Sequence, residues 1–75
     1  MNFSIRMGVF SIKGNSERLV IRLKEFHFKT YTKDMTLNKN NVTAVHVGPM
    51  AESQTTDLRL RLAELFNLNT IIDSL

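Results

Sequence analysis

The chain has no cysteine and no tryptophan, and only one proline and one tyrosine among its 75 residues. Without cysteine, disulfide staples and thiolate metal sites are excluded, together with a thiol nucleophile. The three glycines are dispersed, so neither a dinucleotide fingerprint nor a phosphate-cradling loop is present. The longest strictly apolar run is Leu19-Val20-Ile21, far short of the roughly 20 residues of a membrane span. Arg6 interrupts any signal-peptide pattern at the N-terminus. These absences lead us to expect a soluble, unprocessed, cytoplasmic protein without membrane association.

Catalytic chemistry is equally thin. His27 and His46 are the only imidazoles, and neither has a second histidine or a carboxylate at metal-ligand spacing. No glycine-flanked nucleophile elbow and no recognisable carboxylate pair occurs. Asn41-Val42-Thr43 matches a glycosylation acceptor only by chance in a chain without a secretory signal. The expectation is therefore a non-enzyme with no cofactor and no metal.

What the sequence does have is apolar content and an uneven charge. Apolar residues make up 43% and charged ones 23%, too hydrophobic for a disordered tail. At this length one domain, residues 1–75, is all the chain can form, with a marginal core open to help from a partner or a second copy. Eight basic and three acidic residues lie up to position 50, against two basic and four acidic after it. The sequence pI of 9.7 admits nucleic acid as a partner but does not demand it.

Phe3, Ile5, Met7 and Val9 alternate as in a strand, then parity switches to Phe10 and Ile12. Leu19, Ile21 and Leu23 repeat the alternation, and Phe26 and Phe28 take the other parity. Gly14-Asn15-Ser16 between them is suitable turn chemistry, so the spacing predicts an N-terminal β-hairpin with a bulge at Lys24-Glu25. Its predicted core face is Phe3, Ile5, Met7 and Val9 against Leu19, Ile21, Leu23, Phe26 and Phe28. The reverse face gathers Arg6, Phe10, Arg18 and Arg22 around Ile12 and Val20, and it is the candidate partner or nucleic-acid surface.

Downstream, residues 31–41 allow a short edge strand ending in the turn cluster Asn38-Lys39-Asn40-Asn41. Val42 to Val47 alternates as another strand, with Gly48-Pro49 expected to end it and Met50 to Thr55 expected to form a loop. From Asp57 the pattern fits strand or helix, and the run of good helix formers favours a helix over 57–66, capped at Thr56. Leu68, Ile71, Ile72 and Leu75 would extend that helix or form a second one. The passage from Arg61 to Leu75 resembles the helix-to-turn segment of helix-turn-helix repressors, without the flanking helices that such a domain requires.

The expected fold is thus α+β: a small antiparallel sheet of three to four strands built on a bulged N-terminal β-hairpin, with a C-terminal amphipathic helix packed on it. The expected function is a small, non-enzymatic protein-interaction module, self-associating as a homodimer, of the kind a virus or mobile element encodes as an inhibitor or regulator. The alternative is a nucleic-acid-binding module on the basic and aromatic hairpin face.

Overall fold

A computed structural model describes residues 2–75. The elements run β1 (Asn2–Phe10), α1 (Lys13–Glu25), β2 (Thr30–Leu37), β3 (Asn40–Ala51), α2 (Glu52–Phe66) and β4 (Ile71–Ser74). The strands form one antiparallel sheet in the order β2-β3-β1-β4. This is the β-α-β-β-α-β arrangement of split βαβ folds. The α+β class, the four-stranded antiparallel sheet and the C-terminal-half helix packed on it are as expected.

The N-terminal hairpin is not. β1 pairs with β3 and β4, and residues 13–25 form a helix. Leu19 and Leu23 satisfy a period of two and also the i, i+4 spacing of a helix, and Ile21 separates the readings. It points to solvent at 58% exposure, while Ser16, Leu19 and Leu23 are buried on one helical stripe. Gly14-Asn15-Ser16 is the first helical turn, where the Ser16 hydroxyl donates to the Lys13 carbonyl at 2.8 Å. The irregularity expected at Lys24-Glu25 is a helix C-terminus instead. The Phe28 N–H donates to the Leu23 carbonyl and the His27 N–H to that of Lys24, with His27 left-handed at φ 65°. These two bonds make a Schellman cap, and Phe28 packs with Leu23 in the core as that motif favours. Phe26 is accordingly exposed at 50%, not part of a core face.

A bulge does exist, but in β1. Arg6 pairs with His46 and Gly8 with Val45, which leaves Met7 as an extra residue. The parity switch from Val9 to Phe10 has this cause. Met7 is buried, Val9 is exposed, and Phe10 packs half-buried against the core. A second mismatch sets Ser4 against both Gly48 and Pro49, joined by a cis peptide bond. Pro49 therefore falls at an irregularity where no ladder donor is needed, and β3 continues through it to Ala51. Gly48 has φ +134°, and a Cβ there would lie 3.2 Å from the Phe3 carbonyl oxygen. β2 and β3 join through Asn38 and Lys39, both at positive φ, the geometry of a two-residue type I′ turn.

Helix α2 begins at Glu52, so the expected loop over 50–55 is mostly helix; the Gln54 side chain accepts the Ala51 N–H at 3.2 Å. Its buried stripe is Thr55, Leu62 and Phe66, with Leu58 half-buried. Asn67 at φ 52° terminates it, and residues 71–74 return as a strand beside β1. The expected helical extension is corrected: Ile71 and Ile72 are β-branched neighbours that suit opposite sheet faces, with Ile72 on the core and Ile71 exposed. The core comprises Ile5, Met7, Val45 and Val47 from the sheet and Leu19, Leu23, Leu62 and Phe66 from the helices.

Candidate functional site: the uncovered sheet face

Both helices contribute to that single core, so they lie on the same side of the sheet. Side chains of opposite parity point the other way. Through the strand registers, one row across this second face reads Tyr31, His46, Arg6 and Ile71, from β2 to β4. The next row along is Lys33, Ala44 and Val9, and on the other side Asp73 stands beside Ser4. No described element covers these residues. Ala44 is nonetheless fully buried, because longer side chains on β2 and β1 stand on either side of it and leave it at the floor of a shallow trough.

The trough has an organised polar centre. Tyr31 and His46 stack with ring centroids 4.9 Å apart and an interplanar angle of 6°. The His46 Nδ1 lies 3.2 Å from the buried Ser4 Oγ and 4.0 Å from the Asp73 Oδ2. The same carboxylate oxygen is 3.7 Å from the Arg6 Nε. Burial holds the His46 pKa below 6.5; Asp73 acts in the opposite direction, and Arg6 and Lys33 add to the lowering. His46 is therefore mostly neutral at neutral pH.

Ser, His and Asp together invite comparison with a hydrolytic triad, and the geometry rejects it. A relay needs hydroxyl and carboxylate on opposite ring nitrogens, whereas here both approach Nδ1. Ser4 is also fully buried, out of reach of a substrate. The cluster holds its members in place rather than moving protons to a reaction. Among the described residues no group of three metal-ligating side chains stands together.

Of the residues singled out from the sequence, only Arg6 lies on this face. Phe10 packs toward the core on the helix side, and Arg18 and Arg22 lie on α1 in the other layer. The Arg22 guanidinium sits 5.2 Å from the Phe66 ring centroid, and Phe26 meets the same ring edge-on at 5.6 Å. The four are not brought together. Sequence reasoning missed Tyr31, Ser4, His46 and Asp73. The alternation of Ala44 and His46 with Val45 and Val47 places His46 opposite the core, but its partner Asp73 was hidden in a segment expected to be helical. A depression of about 770 Å³ lies elsewhere, between α2 and residues 47–50. Its rim mixes Lys29 and Arg61 with Asp57 and Glu64 over Phe28, Met50 and Leu58.

No family model matches the chain, and no curated protein matches it. A solved structure, Spor protein DedD, is similar in fold: TM-score 0.65 over 95% of this chain at 21% identity. The chain spans 37% of the length of that protein's chain. The likeness concerns the arrangement of helices and strands. No helix among the described residues is long and apolar enough to cross a membrane.

Proposed function

We propose that the chain is a non-catalytic binding module that takes a glycan strand across the uncovered sheet face, with bacterial peptidoglycan as the glycan that suits it best. The observation carrying this reading is the Tyr31–His46 stack set in a trough beside Arg6, Asp73 and Ser4. An aromatic surface packs against the apolar face of a pyranose ring, while the Asp73 carboxylate and Arg6 guanidinium, each 30% exposed, meet its hydroxyls and the buried Ser4 only holds His46 in place. Peptidoglycan adds carboxylates for which Arg6 and Lys33 are suited. The strands of a four-stranded sheet span about 14 Å across, room for a polymer rather than a single sugar. The likeness to a Spor protein supports a binding module without catalysis. On this reading the module works on the wall side of a membrane, not in the cytoplasm.

Charge separates this ligand from nucleic acid. The face carries Arg6 and Lys33 against Asp73, too little to neutralise a phosphate backbone. The remaining basic residues of the expected surface sit on α1, on the opposite layer. A protein partner, or a second copy of this chain, has its own support in the helix layer, where Ile21, Phe26, Leu60 and Leu65 are all exposed. An inhibitory or virus-encoded role has no support in the fold.

The test is cosedimentation with purified sacculi, with single-stranded RNA as competitor. Binding should survive the RNA and fall at least about tenfold in Tyr31→Ala, as for an aromatic anchor at the centre of an interface. Failure to pellet, or displacement by RNA, overturns the glycan reading. A sedimentation-equilibrium mass above 8.6 kDa that persists without ligand would favour the second copy.

A further inference from the structure

Resting on the reading that the uncovered face is the binding surface, we infer that His46 is a proton-operated switch which, in acid, releases Arg6 to an anionic group of the ligand. The Asp73 Oδ2 is shared between two nitrogens, Arg6 Nε at 3.7 Å and His46 Nδ1 at 4.0 Å. With a neutral ring, Arg6 is the only full cation on that oxygen among the described residues. On protonation both ring nitrogens become donors, and the carboxylate faces two cations at nearly equal range. The two competitors differ in mobility. His46 is held by the stack with Tyr31 and by the Ser4 hydroxyl, while the Arg6 side chain is 30% exposed on a long stem. Arg6 is the partner free to turn outward.

The groups facing His46 set the direction of the response. β1 supplies Ser4 and Arg6, β2 supplies Tyr31 and Lys33, and β4 supplies Asp73. Asp73 is the one acid among them and the one group that favours the imidazolium. Burial, Arg6 and Lys33 disfavour it and keep the transition below pH 6.5. Acid thus adds a positive charge to the trough and loosens the Asp73 ion pair that occupies Arg6. Both changes favour a ligand bearing carboxylates and neither helps a neutral one. By linkage, an anionic ligand raises the His46 pKa and takes up a proton as it binds.

Two measurements test this. In the unliganded protein, the His46 ring and Arg6 Nε–H resonances should follow one midpoint below pH 6.5, and in His46→Gln the Arg6 resonance should stay flat. In binding, wild type should hold peptide-stripped sacculi, which expose lactyl carboxylates, about three- to fivefold more tightly in acid than at neutral pH. Neutral chitin should show no such gain, and His46→Gln should lose the dependence. An Arg6 signal indifferent to His46, or an equal acid response in His46→Gln, overturns the switch. Binding to neither glycan at any pH overturns the binding-face reading instead, and the resonance titration still decides the switch.

Discussion

The two faces of this sheet are made from the same strands and do opposite things. Toward the helices, Ile5, Met7, Val45 and Val47 meet Leu19, Leu23, Leu62 and Phe66 in a dry core. Away from them, Ser4, Arg6, His46 and Asp73 meet each other in a polar cluster with no buried side-chain polar atom unpaired among the described residues. The first face is held by area removed from water and tolerates no loss of volume. The second is held by specific partners and contributes position more than stability. Neighbouring residues of one strand, Ile5 and Arg6, therefore belong to different physical regimes.

The contrast is broken most severely from the core side. Leu62→Ala and Leu23→Ala each remove a fully buried side chain and should cost about 2–5 kcal/mol by denaturant unfolding. Equal stability to wild type would mean that the helices are not docked as described. Next comes the seam between the faces: Gly48→Ala puts a Cβ against the Phe3 carbonyl at φ +134° and should cost about 1–3 kcal/mol. On the uncovered face, Tyr31→Ala loses a ring stack and should cost only about 1 kcal/mol of stability, while its effect on glycan binding is large. A Tyr31→Ala protein that unfolds would show the stack to be core rather than site.

Smaller effects sharpen the comparison. His27→Gly relieves a left-handed side chain at the α1 cap, a gain partly offset by the freedom glycine has when unfolded. The net stabilisation should be less than about 1 kcal/mol. Last is pH. The His46 pKa is lowered in the folded protein, so the unfolded chain takes up its proton first. The stability contributed by neutral His46 is whole above pH 6.5 and falls as acid lowers the pH from there to the folded pKa. Thermal unfolding across that range should decline less in His46→Gln than in wild type, and identical declines would mean that His46 is not the group responsible.

Much of the sheet was legible from residue types. Asn38 and Lys39 mark the β2–β3 turn, and the alternation of Val45 and Val47 with Ala44 and His46 separates core from surface. Leu58 and Leu62 fall on the α2 stripe. The first helix was not legible, because Leu19, Ile21 and Leu23 match a strand as well as a helix, and only tertiary packing decides that Ile21 faces water. The candidate site suffered in consequence. Once residues 19–28 are read as a strand, Arg18 and Arg22 fall beside Arg6 and Phe10, and the true neighbours of Arg6, which come from β3 and β4, do not appear. Asp73 in particular becomes a neighbour only through the long-range return of β4 along β1, which no local pattern reports.

The extra residue Met7 acts on β1 as a frameshift acts on a message. Before it, odd positions face the helices; after it, even positions do, so Phe10 is turned inward and Val9 outward. Deleting Met7 would leave Gly8, Val9 and Phe10 opposite Val45, Ala44 and Thr43 and so keep both orientations, whereas pairing the full sequence straight past Arg6 would set Phe10 opposite Val42 and exchange the two. In that straight pairing the ligand would meet a second aromatic ring beside Val42, at one end of the trough. A one-residue slip of pairing, with no new chemistry encoded anywhere, would thereby add a ring to the stacked pair, and the bulge at Met7 is what keeps that ring in the core.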